Sequence, residues 1–237
     1  MAPDPVPSVA PADPGWHRFT TAEAAEGDRG TVVVYASDIP TESELRLLGD
    51  VEVKRVLDLG CGTGHHAVVR ARAGAKVIGV DDDADVLAHA RERADDAEVR
   101  VELHQSALAD LAFVRSDSVD AALSVMAMAR ADDLARVFRQ VHRVLKRDAP
   151  LVCSFPHPAF TMFDPTGADP LRAVRPYQRA ETHTWELGDQ RVVDHPRTTG
   201  EIFTTLRRAS FAVDNLIEPS APASGPRSRT YAELMQV

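Results

Sequence analysis

The residues best suited to chemistry are glycines and carboxylates placed along two short apolar runs. The first run, from Val56 to Leu59, contains Asp58 and leads into Gly-Cys-Gly-Thr-Gly at 60–64, and the second run ends in Asp81. A glycine-rich turn between a strand and a helix lets the backbone approach a ligand closely. A carboxylate at the end of the next strand can accept hydrogen bonds from ribose hydroxyls. The spacing predicts a βαβ unit that binds a nucleotide.

The spacing of the glycines indicates which nucleotide is bound. Dinucleotide-binding loops have the pattern G-x-G-x-x-G, whereas Gly60, Gly62 and Gly64 form G-x-G-x-G and His65 stands where the third dinucleotide glycine would be. This argues against a nicotinamide-dependent oxidoreductase. With Asp58 two residues ahead of the first glycine, the stretch resembles motif I of the class I S-adenosylmethionine (SAM)-dependent methyltransferases.

The resemblance implies a role for each residue around the glycines. The loop, including Cys61, would pass under the ribose and methionine parts of SAM, and Asp58 would contact the methionine ammonium, directly or through water. Asp81 would accept hydrogen bonds from both ribose hydroxyls, and Asp82 would line the adenosine pocket. The predicted cofactor-binding residues are Asp58, Gly60, Cys61, Gly62, Gly64, Asp81, Asp82, Ser106, Ala107 and Ser124.

The adenine end departs from the family pattern. Where related proteins often have Gly-Asp-Ala, this chain has Gln105-Ser106-Ala107, so Ser106 replaces the acid that would hold the adenine amino group. A serine oxygen can still accept a hydrogen bond. The alternative is a turn without contact to the cofactor. Ser124 is expected near the methionine end, where backbone carbonyls would make the contacts.

Fewer sequence signals point to the residues that would contact the methyl acceptor. His157 follows a predicted strand and stands between two prolines. As the single predicted catalytic residue, it would remove a proton during methyl transfer, because histidine side chains in general can exchange protons near neutral pH; alternatively it only shapes the loop. The predicted substrate-binding residues are Met126, Phe160, Tyr177 and Trp185. The alternatives are that Met126 is plain core and that the segment 156–197 packs on itself.

The composition argues against several classes of binding partner. The 237 residues carry a formal charge of -9 without a basic run, which argues against nucleic acid because phosphate binding needs clustered Lys and Arg. Ser124-Val-Met-Ala also lacks the Asn/Asp-Pro-Pro-aromatic tetrad of DNA amino-methyltransferases. Histidine spacing predicts no metal site. Two cysteines, no long apolar run and no signal peptide predict a cytoplasmic protein with no membrane association, either monomer or homodimer.

The predicted fold class is α/β: a Rossmann-like, doubly wound, mostly parallel sheet with helices on both faces. The final antiparallel strand of the family is not evident, because the last residues, from 231 to 237, look helical. Predicted strands cover 54–59, 76–80, 99–103, 119–126, 150–155 and 211–217, and predicted helices cover 64–73, 84–94, 132–146 and 198–209. Asp83 is the predicted N-cap of the helix at 84–94, and Thr41 with Glu44 is a predicted capping box. The segment 156–197 is expected to be irregular.

The predicted domain organisation is a flexible proline-rich tail at 1–18 followed by one SAM-binding domain at 19–237. A helical cap over about 20–50 and an acceptor lid over about 156–197 complete it. The resulting hypothesis is methyl transfer from SAM to oxygen or nitrogen of a small molecule in bacterial secondary metabolism. The alternatives are a SAM-fold protein with a non-methylating reaction, such as a pericyclase, decarboxylase or hydroxylase, and a non-catalytic SAM-binding protein.

Overall fold

The computed structural model describes residues 32–35, 41–163, 172–178, 181–187 and 190–218. Its central feature is a five-stranded parallel sheet in the order β3-β2-β1-β4-β5. The five strands are β1 (Arg55–Leu59), β2 (Lys76–Asp81), β3 (Val101–Gln105), β4 (Ala121–Val125) and β5 (Leu151–Ser154). The α-helices are α1 (Glu42–Leu45), α2 (His65–Arg72), α3 (Ala84–Asp96), α4 (Leu134–Val144) and α5 (Thr199–Arg208). The predicted doubly wound α/β fold is confirmed.

The strand order places a crevice at the carboxyl end of β1. From β1 the chain builds outward to β3 and then crosses over to β4 on the other side. Asp58 lies between Gly79 of β2 and Leu123 of β4 in the register of the sheet. Because connections leave β1 and β4 in opposite directions at this point, the crevice between them is where open parallel sheets bind ligands.

The sheet is covered on both faces, so its central strands β1, β2 and β4 are largely apolar and buried. On one face, α4 and α5 pack against Leu57, Leu59 and Ile78, with Phe138 of α4 fully buried. On the other face lie α2 and the N-terminal segment, which we define as residues 32–35 and 41–50; Asp58 shares this side of β1 with Val56 because alternate side chains point to the same face.

Local capping signals fix where the helices begin. The Asp83 carboxylate accepts hydrogen bonds from the amides of Asp85 (2.9 Å) and Val86 (3.1 Å) at the start of α3. Thr41 forms the predicted capping box with Glu44, whose carboxylate accepts from the Thr41 amide at 2.8 Å. Both N-terminal signals therefore act as the sequence predicts.

The predicted strand at 211–217 is wrong. Residues 211–218 follow α5 without regular structure. The Phe211 ring packs on α4, 6.2 Å from Phe138 and 5.3 Å from His142 between ring centroids, while Leu216 is 67% exposed. The apolar residues thus anchor the chain end to a helix and pair with no strand among the described residues. The predicted C-terminal helix at 231–237 lies outside the described residues.

Two further expectations need correction or restriction. The described part of the helical cap contains only the single turn of α1, and the proline-rich tail and residues 20–31 lie outside the described residues. The segment 156–197, expected to be irregular, contains a 3₁₀ turn at Pro158–Met162 and an antiparallel hairpin of β6 (His183–Leu187) and β7 (Gln190–Asp194). No helix within the described residues is long and apolar enough to cross a bilayer.

The packing of α4 generates a stability prediction. Replacing Phe138, which is fully buried, with Ala should lower the free energy of unfolding by about 3–5 kcal/mol, because it leaves a cavity under the sheet. Urea denaturation followed by circular dichroism measures the loss. Arg139→Ala on the exposed face of the same helix is the control and should change stability by less than about 0.5 kcal/mol. A similar small cost for both variants would contradict this core.

Candidate cofactor-binding site

Three glycines shape the loop that follows β1. Gly60, Gly62 and Gly64 have φ values of 74°, 53° and 78°, in the left-handed region that glycine adopts without strain. The amides of Gly60 and Cys61 both donate to the carbonyl of Val80, at 2.7 and 3.0 Å. The loop is therefore drawn across the end of β2 before α2 begins.

Two of these glycines are also required by close packing. A Cβ on Gly60 would lie 2.1 Å from the Cβ of Ala127, and one on Gly64 would lie 2.9 Å from the Cβ of Ala90 in α3. Gly60 thus allows the loop to touch the turn after β4, and Gly64 allows α2 to approach α3. Any side chain at these positions would push the loop out of place.

Asp81 ends β2 and is bonded to the glycine loop. Its Oδ2 accepts from the amide of Gly62 at 2.9 Å and its Oδ1 from the amide of Asp83 at 3.2 Å. Burial raises the pKa of Asp81, and the two amide donors and the Arg130 guanidinium oppose that shift. The carboxylate is thereby oriented at the sheet edge with lone pairs left over for further donors.

Asp58 lies in the crevice with an unsatisfied oxygen. It is 2% exposed, and its Oδ2 has no hydrogen-bond partner among the described residues. Burial, reinforced by the negative charge of Asp81, raises the pKa of Asp58 to about 7, and the Arg70 guanidinium acts against this. A buried acceptor without a donor is costly, and a positively charged group from a ligand would satisfy it.

The predicted adenine-side residues follow β3 and β2. Ser106 donates its hydroxyl proton to the carbonyl of Asp110 at 2.8 Å, and its amide donates to the carbonyl of Asp81 at 2.9 Å. The hydroxyl oxygen keeps its capacity to accept a hydrogen bond. Ala107 and Asp82 are exposed beside it, and the Asp82 carbonyl accepts from Gln105 Nε2 at 3.2 Å.

Ser124 and Cys61 have buried side chains that serve the fold. The hydroxyl of Ser124 is fully buried and donates to the carbonyl of Leu59 at 2.8 Å, tying β4 to β1. Cys61 lies against Gly79, where a Cβ would be 3.0 Å from the cysteine Sγ. Burial raises the pKa of the Cys61 thiol, so it stays protonated and is no nucleophile.

Met126 is held in an unusual conformation at the end of β4. Its φ of 59° is rare for a residue other than glycine. Its amide donates to the carbonyl and to the Oγ of Ser154, at 3.1 and 3.2 Å. The Ser154 hydroxyl in turn donates to the carbonyl of Tyr35 at 2.8 Å. Ser154 therefore joins β4, β5 and the N-terminal segment, a role that no sequence signal indicated.

His157 has hydrogen bonds at both ring nitrogens. Its Nε2 lies 3.0 Å from Oε1 of Glu218, and its Nδ1 accepts from the amide of Ala159 at 3.2 Å. The proton therefore belongs on Nε2, facing the carboxylate. Glu218 lies 61 residues further along the chain, so its pairing with the candidate base could not be predicted from local spacing.

The candidate lid is attached to the rim of the site. The amide of His195 donates to the carbonyl of Ala129 at 3.0 Å, and Nη2 of Arg197 donates to the carbonyls of Ala131 and Asp132. These bonds hold the chain after β7 against the 3₁₀ helix Ala127–Arg130 that follows β4. The end of the candidate lid, at His195 and Arg197, therefore lies at the carboxyl edge of the sheet.

The predicted acceptor residues are only partly defined. Tyr177 is half-buried, and its hydroxyl accepts from the amide of Thr199 at 3.0 Å and lies 3.3 Å from the Thr199 hydroxyl. Phe160 lies in the 3₁₀ turn after β5 and Trp185 in β6, but both side chains lie outside the described residues. Met126 is half-buried at the rim of the crevice.

His66, at the start of α2, is neutral. Burial lowers its pKa to about 3, and its Nε2 accepts a long hydrogen bond, 3.4 Å, from the amide of Val34. No group of His, Cys, Asp and Glu side chains in the described ranges is arranged to hold a metal ion. An open groove of about 800 Å³ near Arg55, Lys76 and Arg100 lies at the amino end of the strands, away from the glycine loop.

Comparison with known proteins agrees with this geometry. Residues 56–148 match a family model described as a methyltransferase domain. A structure named as a SAM-dependent methyltransferase from Listeria monocytogenes superposes with a TM-score of 0.63 at 28% identity, covering 75% of this chain and 85% of that chain. A SAM-dependent methyltransferase from Mesorhizobium loti gives 0.60 at 26% identity, covering 81% and 89%.

Among curated proteins, a methyltransferase of Geobacillus sp. (strain WCH70) is 41% identical over 64 residues. That alignment covers 27% of this chain and spans only 26% of the relative's length. The sequence likeness is therefore concentrated in part of the chain, whereas the structural likeness extends over most of it. Residues 56–148 are thus a methyltransferase domain, and the glycine loop, the parallel sheet and the structural matches support the class I SAM-dependent type.

Proposed function

We propose that this protein transfers the methyl group of SAM to an oxygen or nitrogen atom of a small molecule. The observation that carries the proposal is the unpartnered, buried Oδ2 of Asp58. It lies in the crevice next to a loop whose three glycines leave the backbone accessible. A negative oxygen at the end of β1, with Asp81 at the end of β2, suits a ligand that has an ammonium at one end and ribose hydroxyls further along.

The residues of the site fit the parts of SAM in turn. Asp81, already oriented by two backbone amides, would accept from the ribose hydroxyls. Asp58 would receive the methionine ammonium, and the free lone pair of Ser106 would accept from the adenine amino group. Asp82 and Ala107 would border the adenosine. The glycines, Cys61 and Ser124 would contribute through their backbone, since the latter two side chains are buried.

SAM, when bound, would supply a methyl group on a sulfonium: the acceptor lone pair bonds to the methyl carbon as the carbon–sulfur bond breaks and S-adenosylhomocysteine leaves, without a covalent enzyme intermediate. The protein's part is then to hold acceptor and methyl in line and to exclude water, which accounts for most of the rate in such reactions. His157 would take the acceptor's proton at Nδ1, in place of the Ala159 amide, while Glu218 holds the proton on Nε2.

The acceptor would enter from the side of the lid. Met126 lies at the rim of the crevice, and the bonds from His195 and Arg197 place the end of the lid beside the turn after β4. Phe160, Tyr177 and Trp185 would then supply apolar and aromatic walls for a small molecule. The overall charge of -9 supports such an acceptor over nucleic acid.

The proposal is tested with SAM labelled in its methyl group and a fraction of low-molecular-weight metabolites. Methyl transfer gives a product that carries the label and is heavier by one methylene. Conversion of a metabolite without uptake of label would indicate a non-methylating reaction, and binding of S-adenosylhomocysteine without any conversion would indicate a binding protein. Either result would reject methyl transfer.

Asp81→Ala should weaken binding of S-adenosylhomocysteine by roughly 10- to 100-fold, because charge-assisted hydrogen bonds to the ribose are lost. Isothermal titration calorimetry measures the affinity. Asp85→Ala removes an exposed carboxylate from the start of α3 and should leave the affinity unchanged. Equal affinities for Asp81→Ala and the wild-type protein would disprove the assignment of the ribose site.

His157→Ala should lower kcat by roughly 100-fold, the typical contribution of a general base, with little change in the affinity for SAM. The measurement is the steady-state rate with the acceptor found in the labelling experiment. Glu218→Gln keeps the shape of the His157 partner and should reduce kcat less. An unaltered rate for His157→Ala would remove this residue as the base.

A further inference from the structure

Arg70 is a buried cation on α2 that the proposed reaction does not use. It is 7% exposed, and its Nε and Nη2 atoms have no hydrogen-bond partner among the described residues. None of the ion pairs within 4.0 Å in the described ranges includes it. Burying a guanidinium without direct partners is expensive, so its charge must be balanced by acids at somewhat longer range.

Two carboxyl groups provide that balance. Burial lowers the pKa of Arg70, and the charges of Glu42 and Asp58 oppose the effect. Glu42 belongs to the N-terminal segment, where its carboxylate accepts from the amides of Leu47 and Leu48, both at 2.9 Å, and from the Tyr35 hydroxyl. Glu42 is therefore already satisfied, whereas Asp58 is not.

Among the described residues, Asp58 lacks a hydrogen-bond donor, whereas Arg70 lacks hydrogen-bond acceptors. Its Oδ2 is unpartnered, the Asp81 carboxylate repels its negative charge from β2, and Arg70 attracts that charge from α2. The Cys61 thiol nearby is protonated, as is the Tyr35 hydroxyl, and the neighbouring His66 of α2 is neutral. Arg70 is thus the cation among these groups that favours an ionised Asp58.

We infer that Arg70 is a positioning residue for the cofactor site, whose buried charge holds the Asp58 carboxyl as the anion that receives the ammonium of the cofactor's methionine part. The inference rests on the proposed function. It gives Arg70 an electrostatic role that acts through Asp58 and requires no contact with the cofactor. It also explains why a cation is retained on the face of α2 that packs against the sheet.

The inference has a defined pH dependence. The pKa of Asp58 is about 7, so the ionised form that binds an ammonium is lost as the pH falls through that value. Affinity for S-adenosylhomocysteine should therefore decline on the acidic side. Without Arg70 the pKa of Asp58 should rise further, which weakens binding at neutral pH severalfold and moves the acidic decline to higher pH.

Calorimetry of S-adenosylhomocysteine between about pH 6 and pH 8.5 tests this, since the range brackets the titration of Asp58. Arg70→Leu removes the charge, and Arg70→Lys keeps it. Tyr35→Phe is the matched control, because it breaks the hydrogen bond to Glu42 in the same cluster without removing a charge. 5′-Methylthioadenosine, which lacks the amino-acid part, is the control ligand. Its affinity depends on the ribose contact of Asp81 but not on the ammonium contact of Asp58.

The inference predicts three results. S-adenosylhomocysteine should show an acidic decline that 5′-methylthioadenosine lacks. Arg70→Leu should shift that decline upward, and Arg70→Lys and Tyr35→Phe should keep it near the wild-type position. Equal effects of Arg70→Leu and Tyr35→Phe, or an unchanged decline in Arg70→Leu, would reduce Arg70 to a structural residue.

Thermal unfolding of each variant shows whether that variant is folded before its ligand affinity is compared. Should Arg70→Leu fail to fold, the two ligands still discriminate: identical acidic declines for both in the wild-type protein would overturn the role of Asp58 and hence that of Arg70. A wild-type protein that binds S-adenosylhomocysteine and transfers methyl, with no shift in Arg70→Leu, would reject this inference alone. A wild-type protein that binds neither ligand would reject the proposed function as well.

Discussion

The carbonyl of Val80 accepts hydrogen bonds from two successive amides of the glycine loop, at 2.7 and 3.0 Å, and the candidate site depends on this contact. It bends the chain across β2 as soon as β1 ends, so that the Gly62 amide reaches the Asp81 carboxylate. The remaining features follow from that path. α2 starts beside α3, Ala127 closes over Gly60, and Asp58 is left in the crevice beneath the loop.

The electrostatics of the site follow from placing acids where water is excluded. Burial raises the pKa of both Asp58 and Asp81, and the charge of Asp81 raises that of Asp58 further. Asp81 is compensated by backbone amides, which cost the protein nothing in side-chain entropy. Asp58 has only the more distant Arg70 in opposition. The two carboxyl groups therefore differ in their partners. The fold itself supplies hydrogen-bond donors to Asp81, whereas Asp58 still lacks a donor for its Oδ2 atom within the described part of the chain.

The sequence predicted what depends on neighbouring residues and missed what depends on distant ones. The glycine loop, the Asp83 cap and the Thr41 capping box are local, so spacing alone was sufficient. Residues 211–217 begin with the apolar run Phe211-Ala-Val, which favoured a strand, but the Phe211 ring packs on α4 instead. The hairpin of β6 and β7 was detectable, since the alternating run His183–Leu187 is followed by Gly188-Asp189, a two-residue hairpin turn signal. The partner of His157 is Glu218, 61 residues further along the chain, so no local spacing could indicate this pair.

Ser154 also constrains the order in which the chain can reach its final structure. Its hydroxyl joins β5 to Tyr35, 119 residues earlier in the sequence. The Tyr35 carbonyl is synthesised well before Ser154, so this bond cannot form until β5 has been made. Contacts between residues so far apart in sequence form late, because a long loop must close first. The N-terminal segment therefore completes its contacts with the sheet only after β5 has been made.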